Sequence, residues 1–262
     1  MTLRFRIRLA SLAAALGVAS AGWAGQLPDG WYYQEAGGMV VGEGEIFSAR
    51  TTGTGSNTNS WKIAPDEVTG GDNTLSITNA RGGQYVQVLP DTGAPGSPTN
   101  PPSIQYQMSL VTTGIYQLYV RWEGNGITGT NSFGSSDSLF ADIVELKDGT
   151  GGLIADWYEL NQSLDGNFAT NPWDAGGGFE QNVASPANSA MTWAVTSPGI
   201  YTLRFSQRED GAAVDAWVFQ LSSLPAPTGD GPAMSVLIPE PSSGLLVLGG
   251  LGALLFWRRR SH

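Results

Sequence analysis

The sequence contains no cysteine, and its single histidine is the last residue, His262. Without cysteine, neither a disulfide framework nor a thiolate site can form. The missing histidine excludes Ser-His-Asp catalysis, Cys-His catalysis and typical zinc sites from the rest of the chain. Lysine occurs only as Lys62 and Lys147, and no Gly-x-x-x-x-Gly-Lys element is present, which excludes nucleotide-driven activity. Carboxylates, hydroxyls, amides and aromatic rings remain for chemistry.

Basic residues are scarce between the two ends of the chain. The whole chain has 13 Lys+Arg and 23 Asp+Glu, a formal net charge of −10. Six of the arginines and Glu240 belong to the terminal segments, which leaves the body 7 basic and 22 acidic residues and a net charge of −15. Such a body repels nucleic acid and anionic lipid. Neutral polymers and divalent cations are its favoured partners.

Residues 1–24 have the three regions of a secretory signal peptide. Arg4, Arg6 and Arg8 precede an apolar run over residues 9–18, and small residues follow. Cleavage is possible after Ala21 or after Ala24, and the second position is preferred. The alternative, a buried N-terminal helix, does not explain the order of basic and then apolar residues.

The C-terminal segment also has three parts. Pro239-Glu240-Pro241 is followed by an apolar run of 13 residues, Leu245 to Trp257, and then by Arg258-Arg259-Arg260. The apolar run, extended by Ser243-Gly244, predicts a short transmembrane helix whose arginine cluster stays on the cytoplasmic side. The two prolines keep the Glu240 peptide extended and accessible. An ordinary single-pass anchor explains the apolar run and the arginines but not the Pro-Glu-Pro.

Pro239-Glu240-Pro241, the apolar run and Arg258-Arg259-Arg260 together resemble the PEP-CTERM sorting signal. Such signals occur on exported proteins of Gram-negative bacteria that make exopolysaccharide. The resemblance implies recognition by an exosortase and cleavage near Pro239–Pro241. It also implies transient anchoring in the inner membrane, followed by transfer to the cell surface or extracellular matrix. The implied partners are the exosortase and the secretion machinery.

The body is predicted to be an all-β sandwich. Its many Gly and Pro residues, 36 and 15 in the whole chain, cluster between short alternating runs. The predicted strands are 39–41, 46–47, 74–78, 84–89, 115–122, 138–146, 153–160, 200–207 and 214–221. Residues 90–103 are predicted to form a Pro-rich loop, and no internal repeat is evident.

The predicted domain organisation follows from these segments. Residues 1–24 are the signal peptide, 25–35 an N-terminal spacer and 36–224 the β-sandwich. Residues 225–238 are predicted to be a Pro/Gly linker, with 225–232 as its spacer core. Residues 239–262 are the sorting signal.

Three stretches of the body are similar to family 6/35 carbohydrate-binding modules, which are galactose-binding-like jelly rolls. Glu43-Gly44-Glu45 resembles the Glu-Ala-Glu of their opening strand, with glycine in place of alanine. Residues 114–121, Gly-Ile-Tyr-Gln-Leu-Tyr-Val-Arg, resemble their central Gly-x-Tyr strand, and residues 198–215 resemble their closing hairpin. The resemblance implies a sandwich that binds polysaccharide. No aromatic motif of a particular sugar specificity is matched.

Glu43, Glu45 and Asp215 are candidate calcium ligands. Glu43 and Glu45 alternate along one strand and so share a face, and Asp215 lies in the final strand. Converging carboxylates suit Ca²⁺, which takes roughly six to eight oxygen ligands, and the resembling modules hold a structural calcium ion at such a site. In the alternative, the glutamates point to water and Asp215 pairs with Arg208 across the hairpin.

Trp173 is the leading candidate for sugar contact. It lies in a Gly-rich loop beside Asn171 and Asp174, where an indole can stack on a sugar ring while amides and carboxylates bind hydroxyls. It could instead plug one end of the sandwich. Trp157 is a second candidate, whereas Trp122, Trp193 and Trp217 lie in strand-like runs and are predicted to be core residues.

The sequence therefore predicts an exported protein without catalytic residues whose β-sandwich binds polysaccharide. A structural or adhesive matrix protein without sugar binding is the alternative. A carboxylate-dependent glycan-degrading enzyme is the third possibility, but the adjacent acids Glu209 and Asp210 are better explained as a hairpin turn ending at Gly211. A glycosidase needs two carboxyl groups that face each other across a cleft.

Overall fold

The computed structural model describes residues 24–73, 77–93, 100–124, 138–146, 157–161, 166–170, 173, 176–178 and 189–240, and these form an all-β fold. The strands are β1 (Gly25–Gln26), β2 (Trp31–Gln34), β3 (Met39–Glu43), β4 (Ile46–Phe47), β5 (Ala49–Arg50), β6 (Ser60–Ala64), β7 (Tyr85–Leu89), β8 (Ser103–Leu110), β9 (Gly114–Glu123), β10 (Ser138–Ile143), β11 (Trp157–Asn161), β12 (Gly176–Gly178), β13 (Ser189–Ala190), β14 (Thr192–Val195), β15 (Gly199–Gln207), β16 (Ala213–Leu221) and β17 (Leu237–Pro239). A 3-10 turn at Arg81–Gly83 precedes β7.

The strands build two large sheets. Sheet I has seven strands in the order β11-β10-β15-β8-β2-β17, with β5 also paired to β8. Sheet II has six strands in the order β14-β9-β16-β7-β6, with β3 also paired to β16. Pairing is antiparallel in both sheets except between β2 and β8, which are parallel. The small pairs β1-β4 and β12-β13 lie apart from them.

The hydrophobic core lies between the two sheets. Strand β9 shows its construction, because Leu118, Val120 and Trp122 are fully buried in the main apolar cluster and alternate with residues of the opposite face. Across the core, the Trp217 ring of sheet II meets the Tyr33 and Tyr106 rings of sheet I edge-on, with centroids 5.1 Å and 5.3 Å away. The predicted core positions of Trp122, Trp193 and Trp217 are confirmed.

Most predicted strands in the described residues are present, with shifted ends. The last two predicted strands are the clearest case, since β15 and β16 flank a turn at residues 208–211 and Gly211 has a φ of +82°. The predicted closing hairpin is not formed, however, because β15 lies in sheet I and β16 in sheet II. Nine strands were not predicted, namely β1, β2, β5, β6, β8, β12, β13, β14 and β17. Of these, β8 alternates buried and half-buried side chains along its length, but it follows directly on the Pro-rich segment that was assigned to a loop. Residues 74–76 and 153–156 of two predicted strands lie outside the described residues.

The segments on either side of the predicted sandwich belong to the fold. Residues 25–35, predicted as a spacer, supply β1 and β2, and Tyr33 of β2 is fully buried. Residues 225–239, here named the C-terminal strap, were predicted as a linker up to residue 238. They run along sheet II, where Ser235 exchanges hydrogen bonds with Val41, and end in β17 beside β2. The Pro and Gly residues of the strap shape turns, as the positive φ values of Gly229 and Gly231 show.

Within the described ranges no helix has the length and apolar character needed to cross a membrane. The predicted signal peptide up to residue 23 and the apolar run over residues 245–257 lie outside those ranges.

Candidate functional site

A polar cleft of about 640 Å³ opens on the face of sheet II that points away from the core. Strand β3, the loop around the 3-10 turn and the C-terminal strap form its walls, and β9 forms its floor. Its polar lining consists of Glu43, Glu45, Asn79, Arg81, Gln84 and Asp230, with Arg121 at the base. The lining thus combines hydrogen-bond donors, acceptors and both signs of charge.

Two buried tyrosines fix the turn that presents the glutamates. The Tyr106 hydroxyl donates to the Gly44 carbonyl at 2.8 Å, and the Tyr33 hydroxyl donates to the Ile46 carbonyl at 2.6 Å. These bonds satisfy the turn's carbonyl groups from the core side. The side chains of Glu43 and Glu45 can therefore face the cleft.

Gly44 is required by a close approach of two strands. Its N–H donates to the Asp215 carbonyl at 2.7 Å. A Cβ atom at position 44 would lie 2.2 Å from the Val214 carbonyl oxygen, so an alanine does not fit without movement of the backbone. The glycine at position 44 is thus explained by packing against β16.

Asp215 owes its position to a β-bulge. In the pairing of β16 with β9, Val214 lies opposite Trp122 and Ala216 opposite Arg121, so Asp215 is the extra residue. Strand β9 pairs with one edge of β16 along its whole length. At the bulge, the strand that pairs with the opposite edge of β16 changes from β7 to β3. Bulges redirect side chains, and here the fully buried Asp215 carboxylate turns toward the base of the cleft.

Arg121 joins the segments that surround the cleft. Its Nε lies 2.6 Å from Asp215 Oδ2, its Nη2 donates to the Asn79 carbonyl at 2.7 Å, and its Nη1 donates to the Gly229 carbonyl at 3.3 Å. Only 1% of Arg121 is exposed. The guanidinium group therefore links β16, the loop before the 3-10 turn and the C-terminal strap through one buried charge.

Arg81 adds a second positive charge beside the glutamates. Its Nη2 lies 2.7 Å from Glu43 Oε1, and its backbone N–H donates to Asp215 Oδ1 at 2.9 Å. Burial raises the pKa of Glu43, although Arg81 and Arg121 oppose that rise. Burial also raises the pKa of Asp215 to about 7, against the attraction of Arg121. Burial raises the pKa of Glu45 to about 8, with further contributions from the charges of Glu43 and Asp215.

The three predicted calcium ligands are therefore brought to one place. Glu43 Oε2 and Glu45 Oε2 are buried and accept no hydrogen bond from the described residues, which leaves two oxygens for a hard cation. The Asp215 carboxylate, by contrast, is held by Arg121 and Arg81. Across the described residues, no group of three or more acidic, histidine or cysteine side chains is spaced to hold a metal ion.

Trp173 lies beside this cleft and packs against the strap. Its indole N–H donates to the Gly229 carbonyl at 3.0 Å, the same carbonyl that accepts from Arg121. A Cβ atom at position 231 would lie 2.2 Å from the Trp173 ring, which shows how closely Gly231 contacts it. The indole is half-buried next to Val41, Tyr119 and Val218, so only part of it is open to a ligand.

The other predicted site residues are separate from the cleft or outside the described residues. Trp157 begins β11 and pairs with Asp142 on sheet I, which is the opposite sheet. Asn171 and Asp174 lie outside the described residues, as do Pro241 and the arginines at 258–260. Pro239 ends β17 opposite Trp31, and the Glu240 N–H donates to the Gly30 carbonyl.

The alternative in which Arg208 pairs with Asp215 is wrong. Arg208 Nε lies 2.8 Å from Glu159, and its Nη1 lies 2.7 Å from Glu209. Arg208 directly follows β15 of sheet I, whereas Asp215 lies in β16 of sheet II, because the chain crosses from one sheet to the other at the intervening turn.

Sequence reasoning did not identify Asn79, Arg81, Gln84, Arg121 and Asp230 as residues of the cleft. One signal was available, because Arg81 and Arg121 are two of only seven basic residues in the body. In a protein this acidic, an arginine in the middle of an alternating strand points to a carboxylate partner.

No protein-family model matches this chain, and no curated protein matches its sequence. Among solved structures, one similar chain is the Podospora anserina GH26-CBM35 beta-(1,4)-mannanase, with a TM-score of 0.36 and 14% sequence identity. The similarity covers 72% of this chain and 29% of the mannanase, so the chain spans less than a third of that enzyme's length.

Proposed function

We propose that this chain is an exported protein whose β-sandwich binds polysaccharide at the cell surface or in the extracellular matrix. Delivery would use the N-terminal signal peptide, and the PEP-CTERM segment would direct sorting by an exosortase. In this proposal the sandwich is a galactose-binding-like jelly roll that acts as a carbohydrate-binding module. A structural matrix protein with the same fold but no sugar ligand is the competing function.

The observation that carries the binding proposal is the cleft itself. A volume of about 640 Å³ is within the usual range for a pocket that binds a small molecule, roughly 300–1,000 Å³. The exposed Asp230 carboxylate can accept from sugar hydroxyls, and the Asn79 and Gln84 amides, whose nitrogens donate to Asn167 and Asp66, add further polar groups to the lining. The half-buried indole of Trp173 contacts Gly229 and Gly231, the two neighbours of the cleft residue Asp230. The net charge of the body favours a neutral glycan over an anionic one.

The cleft supports binding better than catalysis. A glycosidase uses two carboxyl groups with divided roles, one of them free to act as nucleophile or base. Here Glu43 is paired with Arg81 and Asp215 with Arg121, so among the three buried carboxyl groups only Glu45 forms no ion pair within the described residues, and it has no second unpaired carboxyl group beside it. We therefore propose a module without turnover, and release of reducing ends from a bound glycan would contradict this.

Glycan binding is expected to depend on Arg81. Replacing Arg81 by alanine removes a donor from the cleft wall and leaves Glu43 unpaired. Because one charged hydrogen bond contributes about 1.5–3 kcal/mol, the affinity measured on a glycan array should fall at least about tenfold. Arg50→Ala is the matched control. It breaks the Arg50–Glu67 pair outside the cleft and should leave binding unchanged. Equal loss in both variants, or no binding by the folded wild-type protein, would favour the structural matrix protein.

Calcium is the cofactor we propose for this cleft, with Glu43, Glu45 and Asp215 as the residues that would hold it. The ion would neutralise buried carboxylates; burial raises the pKa values of all three, and the charge of Glu43 adds to the rise for Glu45 and Asp215. The array should therefore be run with calcium and again with EDTA. A loss of binding in EDTA that added calcium restores supports the ion, whereas identical binding in both conditions means that Arg81 and Arg121 alone balance the carboxylates.

Removal of residues 241–262 is expected to divert the protein from surface retention to simple secretion. The shortened chain keeps Pro239 and Glu240 in the sheet but loses the apolar run and the arginine cluster, so no anchor for processing remains. Fractionation of cells and medium with an antibody against the body measures the outcome. Unchanged surface retention of the shortened chain would refute the sorting proposal while leaving glycan binding untouched.

A further inference from the structure

The C-terminal strap touches three parts of the fold in quick succession. At Gly229 it accepts hydrogen bonds from Arg121 and Trp173. At Ser235 it exchanges two hydrogen bonds with Val41 of sheet II. At the next residue, Val236, it accepts a hydrogen bond from Gln34 of sheet I. The strap thus passes from one sheet to the other between two adjacent residues.

The cleft wall and the end of the described chain are close along the strap. Asp230 and Met234 line the cleft, and β17 begins at Leu237, three residues after Met234. An extended chain covers at most about 3.3–3.6 Å per residue, so about 10 Å of backbone separates the wall from the strand. Met234 and Leu237 both pack against the main core. The connection is too short for the cleft wall at Met234 to move without moving β17.

Beyond β17, the Pro239–Glu240 junction is held in the sheet. Pro239 lies opposite Trp31, and the Glu240 N–H is bonded to Gly30. A protease binds its substrate as an extended chain with free backbone groups, so a docked junction is protected from cleavage.

We propose that the C-terminal strap couples the cleft to the Pro239–Glu240 junction. A ligand that binds against Asp230 and Met234 holds the strap closed and keeps the junction in sheet I. When Asp230 and Met234 move away from the cleft, β17 separates from β2, and the Pro239–Glu240 junction becomes accessible for processing. The coupling is reciprocal, so freeing the junction weakens ligand binding by the same factor. The use of this device in sorting rests on the proposed function, but the coupling itself does not.

The contact between Gly231 and Trp173 allows a matched test of this coupling in the full chain. Gly229 and Gly231 have φ values of +58° and +78°, so an alanine at either position pays a similar backbone cost. At position 231 the new methyl group also collides with the Trp173 ring, whereas the Cβ position of residue 229 is open. Gly231→Ala therefore loosens the strap at the cleft, and Gly229→Ala is its control.

Hydrogen exchange measured by mass spectrometry shows whether loosening the strap at the cleft also loosens the Pro239–Glu240 junction. Gly231→Ala is expected to speed exchange over residues 233–240 and in β2 by at least about tenfold relative to Gly229→Ala. Trp173→Ala, which removes the same contact without a new side chain on the strap, should have a similar effect. Faster exchange confined to residues 229–232, or equal rates in all three variants, would overturn the coupling. The measurement uses no glycan and no sorting enzyme, so its failure is distinct from failure of the proposed function.

Discussion

Ending the chain after Leu224 is expected to destabilise the fold by roughly 3–6 kcal/mol, because the missing strap bonds to Val41 and holds Trp173, which packs on the outer face of sheet II. Val41, Tyr119 and Val218 lie on that face and are at most 7% exposed. Uncovering a buried apolar side chain costs about 1.5–3 kcal/mol when exposure is complete, and removal of the strap exposes each of the three in part. The loss of β17 also leaves β2 as the edge of sheet I.

The measurement compares two chains that begin at residue 25 and end at Leu224 or at Glu240. For a domain of this size, each kcal/mol lowers the melting temperature by about 2–4 °C, so the shorter chain should melt about 6–24 °C lower. Tryptophan fluorescence follows the transition, since Trp61, Trp122 and Trp217 are fully buried. Equal melting temperatures would show that the strap is a linker and that the sandwich ends at residue 224.

The strands that could be predicted are those with local signals. Apolar and polar residues alternate regularly in β9 and β15, and the turn between β15 and β16 carries its own glycine. The shared face of Glu43 and Glu45 also follows from alternation alone. Their meeting with Asp215 was inferred from the resemblance to carbohydrate-binding modules, and the bulge in β16 is what brings it about.

The C-terminal strap could not be predicted because its composition is that of a flexible linker. A segment rich in proline and glycine makes turns whether it hangs free or lies on a sheet. What holds the strap in place is contacts distant in sequence, such as those of Ser235 with Val41 and of Gly229 with Arg121. The same holds for Trp173, whose loop sequence suits sugar stacking but whose indole N–H is bonded to the strap.

The roles of Arg81 and Arg121 in the cleft were also not predicted, because the acidic composition of the body draws attention to its carboxylates. A net charge of −15 suits divalent cations, and calcium was proposed from the placement of Glu43, Glu45 and Asp215 and from the resemblance to carbohydrate-binding modules. The structure shows that two cations of the chain itself already contact Glu43 and Asp215. How far an external ion adds to them depends on the two buried glutamate oxygens that accept no hydrogen bond from the described residues.

Replacing Arg121 by methionine is expected to cost about 3–5 kcal/mol of folding free energy, the usual effect of breaking a buried ion pair on one side. Methionine fills similar space but leaves the fully buried Asp215 without its guanidinium partner. Urea denaturation at pH 7 measures the loss. Arg50→Met is the control, since the Arg50–Glu67 pair is about one-third exposed and an exposed pair contributes about 0–1 kcal/mol.

The double variant Arg121→Met, Asp215→Asn separates two explanations of that cost. Asparagine at position 215 keeps an acceptor for the Arg81 N–H but carries no charge. If the double variant regains most of the stability, the cost of the single variant is due to the unpaired, buried Asp215 carboxylate. In that case the ion pair gives little net stability, and its role is to hold the loop at Asn79, β16 and the strap around the cleft. If the double variant stays as unstable as the single one, the hydrogen bonds of Arg121 to Asn79 and Gly229 are the stabilising contacts. A single variant as stable as the wild type would contradict both explanations.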